Sequence, residues 1–360
     1  VTALNIAIDA SRTTVVRWTG TEHYSLQIIR HLIDINTSHQ LHLYFRDDPS
    51  PDLFPNQHNV TQHVIPFPRA WTHLRFAQQI FRDRPDVTFV PAHTLPFVFP
   101  GRAVATVHDL GFKYFPEAHP LDQRLYLDLT TRYSANRARI VLADSQATAN
   151  DLAWFYGIRP EKTRVVYPGV DPLEIGDVAA VRQTYDLPER YFLFIGTLQP
   201  RKNIARLVQA FDLWQEQNPT EGIGLVLAGG QGWLYDPSWT ADIPNITLTG
   251  YIDETDKGAL YAGAIALVFP SLYEGFGFPV LEAMGCGTPV IASNTSSLPE
   301  LVGDAGLLVD PLDIESIANA MTQIASDEEM RANFIQRGKA QVKQFTWDAA
   351  ARAALNALTL

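Results

Sequence analysis

Short apolar or β-branched runs alternate with longer stretches in which apolar residues recur every three or four positions, from one end of the chain to the other. This is the pattern of parallel strands joined by crossover helices. In the first half the strand segments are Leu4–Asp9, Leu41–Phe45, Asn59–Ile65, Asp86–Val90, Ala103–Asp109 and Ile140–Ser145. In the second half they are Tyr191–Gly196, Gly224–Gly230, Ile246–Gly250, Ile265–Ser271, Thr288–Ser293 and Ala305–Asp310. Helical spacing lies between them, as in Tyr24–Ile35, Ile204–Glu216, Ile314–Ile324 and Thr346–Leu358. One series ends in the turn-rich segment Tyr167-Pro168-Gly169-Val170-Asp171-Pro172 before the next begins. The prediction is an α/β chain of two doubly wound, parallel-sheet domains. No short repeat is present, so a solenoid is excluded. Ligands of such sheets sit beyond the carboxyl ends of the strands, which places the expected chemistry at strand ends facing a cleft between the domains.

Length agrees with two domains of roughly 150 to 200 residues each, since the chain has 360. With 46% apolar and 19% charged residues, and no apolar run near the roughly 20 residues that span a bilayer, intrinsic disorder and a membrane-spanning protein are excluded. The segment from Val1 to Asp9 lacks the basic and apolar regions of a secretory signal, so the expected location is cytoplasmic. A single cysteine, Cys286, forbids an intrachain disulfide and a cysteine-built zinc site. In that compartment the sequons at Asn36, Asn59, Asn245 and Asn294 have no glycosylation meaning. Residues 1–172 carry 17 Lys+Arg against 16 Asp+Glu, and the remainder 11 against 23. An acidic second half without a basic run argues against nucleic acid as a partner. The near-neutral first half leaves contact with a membrane surface open.

The densest chemical signal runs from Ser271 to Ser293. Gly275 and Gly277 follow a strand, Pro279 suits the first turn of a helix, and Gly285 or Gly287 suits its end. Backbone N–H groups would converge there on an anionic or hydroxyl-rich ligand. Glu274 precedes the turn and Glu282 lies inside the helix. Two carboxylates, each able to accept from a vicinal diol, suit the two ends of a nucleotide sugar. The plainer reading is that Glu282 favours the helix dipole and the glycines only turn the chain.

Three further places carry candidates. After the strand that ends at Gly196, Arg201 and Lys202 occupy a loop in which Arg can clamp a diphosphate and Lys can add a point charge; two solvated cations are the alternative. His108 and Asp109 end a first-domain strand, where His108 could meet a sugar hydroxyl or be structural. Gly20 opens a helix and would admit a phosphate. There Thr19 and Glu22 have the spacing of a capping box.

Taken together, GTLQPRKN, then TGYIDETDKGALYAGAIALVFPSLYEGFGFPVLEAMGCGTPVIAS, then SSLPELVGDAGLLVDP resemble the retaining, nucleotide-sugar-dependent glycosyltransferases of the GT-B fold, family 4. The resemblance implies a GT-B fold, with a Rossmann-like acceptor-side domain over 1–170, a nucleotide-sugar domain over 171–345, and a final helix, 346–360, returning to the first. It implies that Glu274 contacts the transferred sugar, assisted by the backbone of Phe276 and Gly277. Glu282 would bind the ribose, Arg201 and Lys202 the diphosphate, and Tyr251 would lie near the base. Gly196 and Gly275 count among the binding residues, His108 would meet the donor sugar, and Asp9 and Ser145 are weaker candidates, the latter also a helix cap. Many relatives carry a second glycine two residues after Gly20, where this chain has Glu22.

No two aspartates stand two apart, so the D-x-D signature of metal-dependent transfer is missing. No cofactor and no metal are expected, the two cations serving as neutraliser. The expected partners are a GDP- or UDP-linked sugar and a glycan or lipid-linked acceptor. HDLGFKYFPEAHP and YSANRARIVLADSQAT resemble bacterial mannosyltransferases of polysaccharide assembly, which favours GDP-mannose. A sugar-nucleotide epimerase of the same fold and a non-catalytic sugar-nucleotide-binding protein are the alternatives. A dehydrogenase would need G-x-G-x-x-G after the first strand, where Asp9-Ala10-Ser11 stands instead.

Overall fold

The computed structural model describes residues 3–15, 19–241 and 243–360. Val1 and Thr2, with which the signal-sequence reading begins, lie outside the described residues. The chain divides into two compact units, Val1–Gly169 with Phe345–Leu360, and Val170–Gln344.

The first unit holds seven strands: β1 (Asn5–Asp9), β2 (Gln40–Phe45), β3 (Val60–Val64), β4 (Val87–Val90), β5 (Arg102–Val107), β6 (Ile140–Ala143) and β7 (Thr163–Val165). They form one sheet in the order β3-β2-β1-β4-β5-β6-β7, parallel throughout. The reversal of strand order between β1 and β4 is a topological switch point. β4 and β6 are buried along their whole length, as strands covered by helices on both faces must be. The closing helix, Trp347–Thr359, belongs to this unit. Its buried face is Trp347, Ala350, Ala351, Ala354, Ala357 and Leu358. The small alanines allow a close approach to helix Gly20–Ile35, and Trp347 reaches the rings of His23 and Tyr24. A Cβ on Gly169 would stand 2.2 Å from the Trp347 backbone nitrogen, so the chain crosses there only as glycine.

The second unit holds β8 (Arg190–Ile195), β9 (Ile223–Ala228), β10 (Ile246–Gly250), β11 (Ala266–Phe269), β12 (Val290–Ser293) and β13 (Leu307–Val309). Their order is β10-β9-β8-β11-β12-β13, again all parallel. The switch point lies between β8 and β11, so the segments after these two strands border the same crevice. Those segments carry Arg201, Lys202 and Glu274.

Several predicted strands stop early. The segment expected to reach Asp109 ends at Val107. The one expected to reach Ser271 ends at Phe269, because Pro270 has no N–H for the ladder. The helix expected from Tyr24 starts at Gly20, where Glu22 accepts from the Thr19 backbone N–H at 3.1 Å in a capping box.

Candidate functional site

After β8 the chain makes one tight turn, Pro200–Lys202, and then starts helix Ile204–Gln217. Asn203 joins the two in a left-handed conformation, φ 62°, which asparagine tolerates. Its side chain donates to the carbonyls of Pro270 at 3.0 Å and Pro311 at 2.6 Å, tying the turn to the segments after β11 and β13. Arg201 and Lys202 are therefore fixed, not loose loop cations, and Lys202 is only 9% exposed.

Both cations close on Glu274. Lys202 Nζ lies 2.5 Å from Oε1 and Arg201 Nη1 3.2 Å from Oε2, while Arg201 also donates to the Tyr273 carbonyl at 2.9 Å. Lys202 Nζ further sits 4.7 Å from the centre of the Phe269 ring. Burial alone would raise the Glu274 pKa, but Lys202 and then Arg201 outweigh it and hold the carboxyl below its usual range. Two cations thus converge on one carboxylate in a place where water screens little.

The Glu274 backbone is held as well. Its N–H donates to Ser296 Oγ at 3.0 Å, and Ser297 Oγ donates to the carbonyls of Glu274 and Phe276. Gly277 then caps helix Phe278–Gly285 at φ 130°, where a Cβ would stand 2.8 Å from Leu298 Cδ2. Only glycine can make this turn, and Gly275, Phe276 and Gly277 are buried around it. A second close approach fixes the end of β8: a Cβ on Gly229 would lie 2.1 Å from the Gly196 carbonyl oxygen.

Glu282 sits in a separate network. Lys257 Nζ donates to its Oε1 at 3.0 Å and the Tyr261 hydroxyl to its Oε2 at 2.7 Å. Burial would lower the Lys257 pKa, but Glu282 and Glu254 raise it, so the ammonium is retained. An ionised carboxylate has about four lone-pair sites, so Glu282 can still accept from a diol while held by these two donors. Tyr251 follows Gly250, which has φ 71°, and stands largely exposed.

In the first unit each predicted residue is committed to local contacts. His108 is buried, with Nδ1 2.7 Å from Asp144 Oδ2 and Nε2 3.2 Å from the Pro91 carbonyl. Burial opposes the charged ring, yet Asp144 prevails and raises the His108 pKa. His93 packs edge-on at 5.3 Å, and burial followed by repulsion from His108 lowers its pKa to about 4. Asp109 accepts the Gly111 N–H at 2.7 Å and Asp9 the Ser11 N–H at 3.0 Å, both as turn formers. Ser145 caps the next helix through Thr148 N. Gly20 is the first residue of its helix, beside Glu22, which also meets Arg12 at 3.4 Å.

Sequence reasoning missed Lys257, Tyr261, Asp144, Ser296 and Ser297. Lys257 and Tyr261 are four apart on helix Lys257–Ala262 and so share a face; that spacing was the available signal.

Two families match this chain: the glycosyl transferases group 1 over residues 180–341 and Glycosyltransferase Family 4 over residues 18–173. The O-antigen chain mannosyltransferase B of Escherichia coli is 33% identical, over 95% of this chain and 96% of that protein. Among solved structures, sucrose-phosphate synthase from Thermosynechococcus elongatus superposes with a TM-score of 0.75 at 21% identity, over 98% of each chain. Anabaena HepE in complex with UDP-glucose does so with a TM-score of 0.74 at 19% identity, over 99% of this chain and 100% of that one.

Proposed function

The chain belongs to the group 1 glycosyl transferases and is a hexosyltransferase, and on that premise we propose that it moves mannose from GDP-mannose to a glycan acceptor, with retention and without a metal. The observation that carries the proposal is the convergence of Arg201 and Lys202 on a single buried carboxylate beside the glycine turn. The diphosphate of a sugar donor is an anion that an adjacent guanidinium and ammonium can hold together. As the bond from the anomeric carbon to the β-phosphate oxygen breaks, negative charge grows on that phosphate, and donors already in place stabilise it without reorganising.

Both Glu274 oxygens face cations, which makes this carboxylate a poor nucleophile and favours its role as acceptor for sugar hydroxyls. In the proposed step the acceptor hydroxyl attacks on the face that the phosphate leaves. Its oxygen bonds the anomeric carbon, and its proton passes to the departing β-phosphate.

Mannose is supported by the name of the Escherichia coli relative. A lipid-linked acceptor at the inner membrane face is supported by Leu121, Leu125 and Leu129, which are exposed at successive turns of helix Leu121–Arg137. Among the described residues no helix is long and apolar enough to cross a membrane.

A donor panel followed by thermal shift tests the reading. At 100 times its Kd, GDP-mannose should stabilise the chain by about 2.7 kcal/mol, a rise of roughly 5–10 °C for a unit of this size. Stabilisation by UDP-hexoses alone would overturn the choice of donor. Transfer should persist in EDTA, and complete, metal-reversible inhibition would overturn metal independence.

A further inference from the structure

The first unit has a second charged place, on the opposite edge of its sheet from His108 and Asp144. Those two residues follow the carboxyl ends of β5 and β6, whereas a cavity of about 670 Å3 lies at the amino ends of the same strands. Arg102, Arg137, Arg139, Arg159, Lys162 and Arg164 line it. Glu161 is the one carboxylate side chain among its lining residues.

The cations are unbalanced. Among the described residues none of the six forms an ion pair with a carboxylate. Their partners are neutral: Arg164 donates to the carbonyls of Glu161 and Thr163, Lys162 to that of Asn136, and Arg137 lies over the Phe99 ring at 5.1 Å. Burial, then Arg159 and Arg137, lower the Lys162 pKa, as expected for a group crowded by like charge. Six cations in one concavity cost electrostatic repulsion that an anion would relieve.

We propose that this cavity is a binding site for an anion carrying at least two phosphates, separate from the sugar-nucleotide site. Arginines suit this chemistry because each guanidinium can grip a phosphate bidentately. The volume falls within the roughly 300–1,000 Å3 of small-molecule sites. A lone phosphate would neutralise only a minority of the charge, which is why a diphosphate or larger anion fits better. Such an anion can be soluble or borne on a lipid.

Calorimetric titration of inorganic pyrophosphate tests the site, in a chain carrying Arg201→Ala and Lys202→Ala so that the sugar-nucleotide cluster does not compete. Flotation with phosphatidylcholine vesicles containing cardiolipin, a lipid with two phosphates, supplies the lipid arm. One-to-one pyrophosphate binding identifies a soluble ligand, and flotation without pyrophosphate binding identifies a lipid headgroup. In either arm Arg139→Ser with Arg159→Ser, both exposed and outside the proposed catalytic machinery, should weaken binding by roughly tenfold or more per arginine. On the Arg201 and Lys202 wild-type background the same pair should leave sugar transfer unchanged and should not lower the melting temperature. Saturable binding to neither probe would overturn the proposal. So would an equal loss in Arg190→Ser with Arg337→Ser, which removes the same charge from the second unit.

Discussion

In the second unit a buried carboxylate, Glu274, meets two cations, whereas in the first unit the buried carboxylate Asp144 meets one, His108. Both carboxylates follow strands of the same kind of parallel sheet, so topology does not separate them; stoichiometry does. Asp144 holds one nitrogen of His108, Asp109 lies close enough to act on both groups, and His108 spends its other nitrogen on a carbonyl. Arg201 and Lys202 instead converge on one buried carboxylate, Glu274. Holding two like charges side by side costs stability, a cost that the diphosphate of the proposed reaction would offset. The comparison teaches that a buried histidine with both nitrogens taken reads as architecture, whereas two cations gathered on one carboxylate at a switch point read as a place suited to a charged ligand.

Removing either of these cations should have the largest effect. Arg201→Ala or Lys202→Ala is expected to lower turnover by about 10²–10³-fold, the usual loss for one preorganised donor. Steady-state assays showing wild-type turnover in both variants would remove the pair from the reaction. Next come the two glutamates. Glu274→Gln should depress turnover on the order of 10–10²-fold while sparing affinity for the nucleoside diphosphate, because its proposed partner is the sugar. Glu282→Gln should instead weaken donor and nucleoside diphosphate alike, by roughly tenfold, since both carry the ribose diol. Equal losses of nucleotide affinity in the two variants, read by calorimetry, would contradict these assignments.

Much of this arrangement was legible in the sequence, for a physical reason. Strand ends, glycine turns and the first turns of helices are local features, and Arg201, Lys202, Glu274 and Glu282 all lie on them. What escaped reading was pairing between distant segments. Asp144 stood inside an apolar run and looked like part of a strand, yet it holds His108 from 36 residues away. Lys257 and Tyr261 lie 25 and 21 residues from Glu282 and looked like an ordinary helix face. The basic cavity escaped for a related reason: its six cations are scattered between Arg102 and Arg164, with no run, in a half whose net charge is close to zero. Averages over a chain hide a cluster that folding assembles.

The smallest expected effect is a titration. His108 should keep its proton above pH 6.5, and His93 should stay neutral down to about pH 4. Because the folded chain holds the His108 proton more tightly than the unfolded chain does, the stability gained is complete below pH 6.5 and fades as pH rises through the folded value. Imidazole resonances followed by NMR check this. A His108 ring that titrates below 6.5 would mean that burial defeats Asp144, and the comparison would lose its first member.

The central claim is that Arg201 and Lys202 hold the leaving diphosphate, and the most direct test compares nucleoside diphosphate with monophosphate. Calorimetry should measure both ligands, in the guanosine and uridine series, against the native chain and against Arg201→Ala with Lys202→Ala. The account predicts that the native chain prefers the diphosphate by about 10²-fold or more, as two charge-assisted contacts allow, and that the doubly substituted chain barely distinguishes the two. An undiminished preference in the substituted chain would contradict it.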